Sequence, residues 1–366
     1  MKKPVIAVAM SGGVDSSVTA ALLKEDGYEV IGVTMHLWDN RTSGEMLLKG
    51  RCCSAEDVYD ARRIASILDI PHYVINLQQE FQEQIIYPFI DNYLHGKTPS
   101  PCINCNYFLK FQSLLEKITK LGAEKLATGH YALLEHDELS NRWILKKGKD
   151  AAKDQSYFLF SLTQAQLSKA LFPLGRYLKS QVRKIAAKFN LPVATKADSQ
   201  QLCFITNDNY RTFIELHHHH PIPRGRYVSP EGAYLGTHYG IHHYTIGQRR
   251  KLGIAVGKPL YVVKIIPEEN KIILGEEKDL YQPACIAENM NWISIPETQP
   301  SFRASARIRY KHEEAPAAIT LIDLQKIKVI FDEPQRAITP GQALVLYNGE
   351  IVLGGGWISH VLDCGN

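Results

Sequence analysis

The sequence feature that most constrains this chain is a glycine-containing turn, Met-Ser-Gly-Gly-Val-Asp-Ser-Ser, at residues 10–17. An apolar run at residues 5–9 precedes the turn, and a helical pattern at residues 18–25 follows it. Paired glycines let the backbone turn tightly and expose several N–H groups, while the next helix directs the positive end of its dipole to the same place. The sequence therefore predicts a strand, a turn and a helix start that together bind a phosphate group.

The residues of this turn also indicate the nucleotide chemistry. In ordinary NTPases the lysine of the G-x-x-x-x-G-K-S/T loop binds the β- and γ-phosphates. This turn lacks that lysine, so we do not expect the same mode of phosphate binding here. Asp15 instead offers a carboxylate to Mg²⁺. The turn resembles the pyrophosphate loop of the N-type ATP pyrophosphatases, which cleave ATP between the α- and β-phosphates and activate a substrate oxygen as its adenylate. The alternative is a plain strand-to-helix turn with Ser and Asp as caps.

Length and composition bound the class of protein. A chain of 366 residues with 45% apolar and 22% charged residues predicts two or three globular domains. We expect a cytoplasmic protein with no membrane partner, because the first apolar run is cut off by the glycine turn and no later run reaches a bilayer's thickness. The net charge of +4 permits a polyanionic partner without requiring one. Seven cysteines favour thiol, metal or catalytic roles over a disulfide framework.

The pattern of elements predicts three domains. Strand and helix patterns alternate through residues 1–206, which indicates an α/β domain with a parallel sheet. A hairpin is predicted within this domain around Ser140 and Asn141. Short β-like runs separated by Pro and Gly predict a small β-rich domain at residues 207–284. Six short strands of even spacing at residues 285–366 fit a small β-barrel.

Two segments carry the cysteines with the clearest context. Cys102 and Cys105 follow two prolines and stand at or near a helix start, a position that lowers the pKa of a thiol. A lone C-x-x-C is half a zinc site, a redox pair or chance, and the lack of a second pair weakens structural zinc. Cys203 lies in a polar segment, residues 198–205, that suits either a site loop or a buried, inert thiol.

Basic and histidine-rich segments lie in the second half of the chain. Alternation at residues 302–311 places Arg303, Arg307 and Arg309 on one face of a predicted strand, which suits an RNA backbone or a solvated outer face. The opposite face, which includes Ala306 and Ile308, is predicted to be core. The three cations at residues 249–251 suit either a contact with phosphate or a solvent-exposed loop. The four histidines at residues 217–220 predict a solvated turn, because consecutive side chains cannot converge on one ion in regular structure.

Together these segments resemble the tRNA-specific 2-thiouridylases along nearly the whole chain. The resemblance implies an enzyme that places sulfur on C2 of the wobble uridine of tRNA, using ATP, Mg²⁺ and a cysteine persulfide. It implies Cys105 as the nucleophile and Cys203 as the persulfide carrier. The ATP-binding positions it implies are Ala9, Met10, Ser11, Gly12, Gly13, Val14, Asp15, Ser16, Met35 and Gly129. The implied tRNA contacts are Ser100, Pro101, Cys102, His130, Lys153, Asp154, Gln155, Arg309, Tyr310 and Gln342.

The resemblance also implies partners and contains one departure. The partners are the anticodon arm of Lys, Glu and Gln tRNAs and a sulfur donor system, a cysteine desulfurase acting directly or through relay proteins. Many relatives carry Asp where this chain has Cys102, and a thiol is a poorer proton shuttle than a carboxylate at neutral pH. With Cys105 and Cys203, Cys102 could alternatively hold a 4Fe–4S cluster. An RNA-binding protein with an inactive nucleotide loop is the alternative from another class.

Overall fold

The computed structural model describes residues 4–38, 55–196, 202–205, 209–218, 220–254, 257–295 and 300–362. The chain divides into two compact units. The N-terminal unit comprises residues 1–86, 101–208 and 350–352, and the C-terminal unit comprises residues 87–100, 209–349 and 353–366. The three domain boundaries expected from the sequence stay a prediction.

The N-terminal unit is built on a parallel sheet, as predicted. The strands of this unit, in chain order, are β1 (Val5–Ala9), β2 (Glu29–His36), β3 (His72–Asn76), β4 (Lys125–Ala127), β5 (Ala132–Asp137), β6 (Arg142–Lys147) and β7 (Ala170–Leu171). The sheet has five strands in the order β3-β2-β1-β4-β7, and its pairs are parallel. Strands β5 and β6 form an antiparallel hairpin, which confirms the hairpin predicted around Asn141. From β1 the chain adds strands first on one side, as β2 and β3, and then on the other, as β4 and β7. Such a reversal leaves a crevice at the carboxyl ends of the strands, which is where ligands bind in parallel sheets of this kind.

Helices cover this sheet and bury its apolar side chains. They are α1 (Val14–Glu25), α2 (Ala55–Ile67), α3 (Gln78–Phe81), α5 (Pro101–Asn104), α6 (Leu115–Lys120), α7 (Gln164–Ser168) and α8 (Lys179–Lys188), with α4 (Tyr87–Leu94) belonging to the C-terminal unit. Stretches of π-helix occupy Gln82–Ile86 and Cys105–Leu114, and 3₁₀ turns occupy Ser156–Phe158 and Pro173–Arg176. Val8, Val18 and Ile64 are fully buried in one cluster between strand and helices.

The C-terminal unit contains a small sheet and a barrel. After α9 (Tyr210–His217) come β8 (Gly225–Val228), β9 (Tyr234–His238), β10 (Tyr261–Ile266) and β11 (Lys271–Gly275), in the order β10-β11-β8-β9. A 3₁₀ turn at Ile241–His243 follows β9. Further 3₁₀ turns lie at Pro267–Glu269 and Glu277–Leu280. Tyr227, Val262 and Ile272 form the buried centre of the small sheet.

The six strands predicted for the last part of the chain form a closed barrel. They are β12 (Tyr281–Trp292), β13 (Ser301–Arg307), β14 (Ala315–Asp323), β15 (Lys326–Arg336), β16 (Ala343–Asn348) and β17 (Ile351–Leu362). Their order is β12-β15-β14-β13-β16-β17, and pairing of β12 with β17 closes the ring. Closure removes the unpaired strand edges of an open sheet. No helix within the described residues is long and apolar enough to cross a membrane.

Inside the C-terminal unit, the turn before β16 holds the segment that leads to Pro101. The Thr98 N–H donates to Pro340 O at 3.0 Å, and Gln342 Nε2 donates to Thr98 O at 2.7 Å. Gly341 has φ +88, and a Cβ there would lie 2.9 Å from Lys97 Cβ. This close approach admits only glycine without a shift of the backbone.

Replacing Gly341 by Ala should therefore lower the melting temperature of the chain. The variant combines the left-handed backbone cost of about 1 kcal/mol with a clash against residues 97 and 98. Gly349→Ala is the matched control, since Gly349 has φ +56 but nothing within 4 Å of the place that a Cβ would take. Calorimetry should show the larger decrease for Gly341→Ala, and equal decreases would contradict the close approach.

Candidate active site

The glycine turn lies where the sequence places it, between β1 and the start of α1. The Ser11 N–H donates to Ser16 Oγ at 3.1 Å, and Ser17 Oγ donates to Gly13 O at 2.7 Å. Ser16 and Ser17 are buried, so these bonds tie the turn firmly to the first turn of α1. Gly13 caps the helix with an extended backbone and no side-chain bond. The turn thus presents backbone N–H groups at a helix N-terminus, the arrangement that binds phosphate.

Two glycines let other backbone segments approach this helix start. Gly12 has φ +67, and a Cβ there would lie 2.6 Å from Asp57 O of α2. Gly129, just after β4, would place a Cβ 2.9 Å from Asp15 C and from Ser16 N. A side chain at either position would push apart the segments that form the site. The cradle fits the phosphates of a nucleotide, and Met35 lies nearly buried in the neighbouring β2.

Asp15 is held by two side chains that the sequence analysis did not single out. Lys179 Nζ donates to Asp15 Oδ1 at 2.8 Å and to Oδ2 at 2.7 Å. Tyr131 OH donates to Asp15 Oδ1 at 2.7 Å. The backbone of Tyr131 is in turn bonded to Gln155, whose Oε1 accepts from the Tyr131 N–H at 3.1 Å and whose N–H donates to Tyr131 O at 2.9 Å. Gln155, predicted to contact tRNA, therefore also orients a partner of Asp15.

A second lysine contacts the turn itself. Lys196 Nζ donates to Gly12 O at 3.0 Å, to Asp57 Oδ1 at 2.9 Å and to Asp60 Oδ2 at 2.8 Å. Burial works to lower the pKa of Lys196, but hydrogen bonds and charge from Asp60 and Asp57 outweigh burial and raise the pKa. Arg183 fixes the preceding residues by donating to Ala194 O at 2.7 Å and to the carbonyl of residue 196 at 3.1 Å. Lys196 is therefore a fixed cation beside the turn.

A sequence signal existed for one of these lysines and not for the other. Lys179 is the first residue of α8, where a positive charge opposes the helix dipole. A positive charge at a helix start is unfavourable unless a carboxylate lies near it, and here that carboxylate is Asp15. Lys196 follows no comparable pattern, since its partners Asp57 and Asp60 lie on a helix more than a hundred residues earlier.

The cysteines lie on two elements of the N-terminal unit. Cys102 is exposed in the first turn of α5, while Cys105 is half-buried at the start of the π-helical stretch, so both are at or near a helix start as predicted. Asn106 fixes this stretch, because its buried amide donates to Phe158 O at 3.0 Å. Departures from α-helical pitch of this kind occur frequently at functional sites.

Cys203 is half-buried in residues 202–205, whereas residues 198–201 of its predicted loop lie outside the described residues. The adjacent Phe204 is buried and packs edge-on against Phe81 at 5.7 Å between ring centroids. Cys285, by contrast, is buried in β12, and burial raises the pKa of its thiol to about 12. Its thiolate is therefore scarce at neutral pH.

Comparison with known proteins covers all three parts of the chain. Residues 4–207 match the family model described as the tRNA methyl transferase HUP domain. Residues 211–276 match the tRNA methyl transferase PRC-barrel domain, and residues 282–358 match the aminomethyltransferase beta-barrel domain. The relative named tRNA-specific 2-thiouridylase MnmA from Caldicellulosiruptor saccharolyticus is 51% identical over 99% of this chain and 100% of its own length. The chain belongs to the tRNA-specific 2-thiouridylase family.

Other relatives carry the same name. The 2-thiouridylase MnmA 2 of Caldanaerobacter subterraneus is 49% identical over 97% of this chain and 98% of its own length. Among solved structures, a 4-thiouridine synthetase–RNA complex with bound ATP is 16% identical, covers 55% of this chain and 45% of its own, and has a TM-score of 0.35. That structural likeness is too partial to assign a ligand.

The structure gives internal partners to predicted tRNA contacts of the N-terminal unit. Asp154 is buried, and its carboxylate accepts from the Gly148 N–H at 3.0 Å and from Ser156 Oγ at 3.0 Å. His130 is also buried, with a ring nitrogen 2.7 Å from Thr128 Oγ1. Direct contact of the Asp154 and His130 side chains with tRNA stays a prediction. Their burial argues against such contact. Lys153 and Pro101 lie on the same unit, Lys153 half-buried and Pro101 buried at the start of α5.

The predicted tRNA contacts of the C-terminal unit are more accessible. Ser100 and Tyr310 are half-buried, and Arg309 Nη1 donates to Ala337 O at 3.4 Å. The side-chain nitrogen of Gln342 donates to the backbone carbonyl of Thr98, so it already has a partner within the unit. The loop with three cations is exposed at Arg249 and the two residues after it.

The strongly basic strand predicted at residues 302–311 needs correction. Strand β13 ends at Arg307, and Arg309 lies in a turn where the His312 N–H donates to its carbonyl at 3.0 Å. Arg303 pairs with Asp332, and Arg307 Nη2 lies 2.7 Å from Glu314 Oε1. Alternation correctly predicted the buried Ala306 and the opposite polar face. It could not predict that carboxylates from other parts of the barrel neutralise two of the arginines.

The four histidines predicted to form a solvated turn are divided between two settings. His217 ends α9, where its Nδ1 lies 2.8 Å from Phe213 O, and His220 is exposed beyond the helix. Residue 219 lies outside the described residues.

Lowering the pH should destabilise the folded chain partly through His130. Burial and the positive charge of Lys110 hold the pKa of His130 well below its usual value, so the folded chain keeps this ring neutral. The unfolded chain protonates His130 below about pH 6.5, whereas the folded chain keeps the ring neutral. Above that pH this ring does not change the free energy of unfolding, and below it the free energy of unfolding falls by up to about 1.4 kcal/mol per pH unit. His130→Gln should flatten the acid side of a plot of melting temperature against pH.

Proposed function

We propose that this chain is a tRNA 2-thiouridylase, a sulfurtransferase that adenylates the C2 oxygen of the wobble uridine and replaces it with sulfur. The products are 2-thiouridine, AMP and pyrophosphate. The observation that carries the proposal is the phosphate cradle at the start of α1, in the same unit as an exposed or half-buried set of cysteines, Cys102, Cys105 and Cys203. The names of the relatives support the same reaction.

Adenylation uses the backbone and the two fixed lysines. The N–H groups of the turn, which includes Gly12 and Gly13, would donate to the phosphates of ATP, and the helix dipole would stabilise the negative charge that develops on pyrophosphate. Lys196 stands beside Gly12 and adds a positive charge. Lys179 can reach toward a phosphate only by leaving Asp15, because both carboxylate oxygens now accept from its ammonium.

Mg²⁺ would supply charge neutralisation at the phosphates, and Asp15 is the residue proposed to hold it. The donor chemistry fits, since Mg²⁺ is usually bound by one or two carboxylates together with substrate phosphates. The carboxylate becomes available when Lys179 exchanges Asp15 for a phosphate oxygen. Tyr131 keeps Asp15 oriented through that exchange, because it bonds only one of the two oxygens.

Sulfur transfer needs two cysteines. The terminal sulfur of a persulfide on Cys203 attacks C2 of the activated uridine, and the C–O bond to AMP breaks. The thiolate of Cys105 then attacks Sγ of Cys203, forms a disulfide and releases the sulfur on C2 as 2-thiouridine. A reductant must reopen the disulfide, and a sulfur donor such as a cysteine desulfurase must restore the persulfide.

The substrate and its setting belong to the same proposal. The wobble base must leave its stack to reach the cysteines, at a cost of a few kcal/mol that contacts with the anticodon arm offset. We propose Lys, Glu and Gln tRNAs as substrates and the cytoplasm as the place of reaction. Cys102, at the exposed start of α5, would face the base with Ser100 and Pro101. In the alternative mechanism, the thiolates of Cys102, Cys105 and Cys203 would hold a 4Fe–4S cluster that carries sulfide.

Single cysteine variants should separate these mechanisms. With ATP, tRNA and a sulfur source, Cys105→Ala and Cys203→Ala should lose 2-thiouridine, measured by mass analysis of tRNA nucleosides, yet still release pyrophosphate. Cys102→Ser should keep appreciable thiolation, because the persulfide route needs only the other two thiols. Cys285→Ala is the control at a buried thiol and should behave as the parent chain.

Two results would overturn parts of the proposal. If Cys102→Ser loses thiolation together with the visible colour and iron of anaerobic protein, the cluster mechanism holds. If the parent chain binds tRNA but releases no pyrophosphate, the chain is an RNA-binding protein with an inactive nucleotide loop.

Arg309→Ala should weaken tRNA binding and make the affinity less sensitive to salt by roughly one phosphate contact. The control is Arg303→Ala in the same barrel, whose guanidinium already pairs with Asp332. Titration of labelled tRNA at several salt concentrations measures both slopes. An unchanged slope for Arg309→Ala places that residue outside the RNA footprint.

A further inference from the structure

We propose that Glu215, His242 and His243 bind a divalent transition-metal ion of the Zn²⁺ class within the C-terminal unit. Glu215 lies on α9, and the two histidines lie on the 3₁₀ turn Ile241–His243. One ligand atom from each of the three residues lies within 4.8 Å of the other two. The site shares no residue with the nucleotide cradle or the cysteines, so it stands independently of the proposed function.

The separations between the ligand atoms are close to those of a metal site, and the shorter of them is also a hydrogen bond. Glu215 Oε1 is 2.7 Å from His243 Nε2 and 3.6 Å from His242 Nε2. Zinc bonds of about 2.0–2.1 Å in a tetrahedral site place neighbouring ligand atoms roughly 3.3 Å apart. The two measured separations lie on either side of that value, so small side-chain movements would bring all three atoms into one coordination sphere.

His242 is the residue that an ordinary ion pair does not explain. Its side chain is 1% exposed, and neither of its ring nitrogens has a hydrogen-bond partner. A buried polar group left without a partner costs about 1–3 kcal/mol. The bond between Glu215 and His243 leaves both ring nitrogens of His242 without a partner, whereas a metal at Nε2 would satisfy one of them.

The two elements are held together before any metal arrives. Tyr210 OH, at the start of α9, donates to His243 O at 3.2 Å. The ring of Tyr210 stacks on Tyr93 of α4 at 4.6 Å between centroids. These contacts limit the movement of the 3₁₀ turn relative to α9 and so reduce the entropy lost on binding.

The ligand set indicates the class of ion. Two imidazoles and one carboxylate suit Zn²⁺, whereas Ca²⁺ and Mg²⁺ prefer oxygen ligands. Three protein ligands leave a fourth position for water or for a further side chain. The proposed role is structural: the ion would fasten α9 to the turn that follows β9.

Cobalt is the probe that tests this site, because its visible absorption reports the ligands. The full chain, stripped with a chelator and kept free of oxygen, should bind one equivalent of Co²⁺ with the bands of a nitrogen and oxygen site and without a thiolate-to-cobalt band. Zn²⁺ should displace the Co²⁺ and raise the melting temperature. Absence of thiolate absorption distinguishes this site from Cys102, Cys105 and Cys203.

Three variants make the test specific. His242→Ala should abolish the cobalt spectrum, and Glu215→Gln, at an exposed position that tolerates the change, should weaken binding by more than the roughly tenfold that loss of a supporting group costs. His220→Gln is the control from the exposed histidine tract and should leave affinity unchanged. The proposal is overturned if Glu215→Gln binds Co²⁺ as the parent does, if His220→Gln loses it, or if the spectrum contains a thiolate band.

Discussion

The close packing of backbone around the first turn of α1 is the constraint on which the candidate active site depends. Gly12 brings the turn against the backbone of Asp57, and Gly129 brings the end of β4 against Asp15 and Ser16. No side chain fits at either glycine. Because these contacts join backbone to backbone, the N–H groups of the turn are fixed before a ligand binds, and little reorganisation is needed when charge develops.

The same packing explains how an anion site works without a lysine in the loop. Lys179 and Lys196 come from α8 and from the segment after it, and each is held by carboxylates near the turn. These carboxylates keep the two ammonium groups in place and balance their charge while no phosphate is present. Two positioned ammonium groups therefore stand beside the turn before a phosphate arrives. Tyr131 connects this arrangement to Gln155, one of the predicted tRNA contacts.

The C-terminal unit uses charge in a different way. Its barrel closes through the pairing of β12 with β17, so the described barrel strands form a ring rather than an open sheet. Arg303 and Arg307 of β13 pair with carboxylates of the same unit, and Arg309 lies in the turn after the strand. Two cations of the basic sequence pattern are therefore already neutralised by ion pairs within the unit.

The sequence by itself determined the elements and their order, because hydrophobic periodicity and glycine turns are local properties. The parallel sheet, the β5–β6 hairpin and the six barrel strands follow from such patterns. The turn at residues 10–17 and the helix start at Cys102 were likewise readable from neighbouring residues. Only the tertiary structure decided that Lys196 reaches Gly12, that Arg303 pairs with Asp332, and that His242 is buried beside Glu215. These contacts join residues far apart in sequence, and no periodicity within one segment specifies which distant partner its side chains will meet.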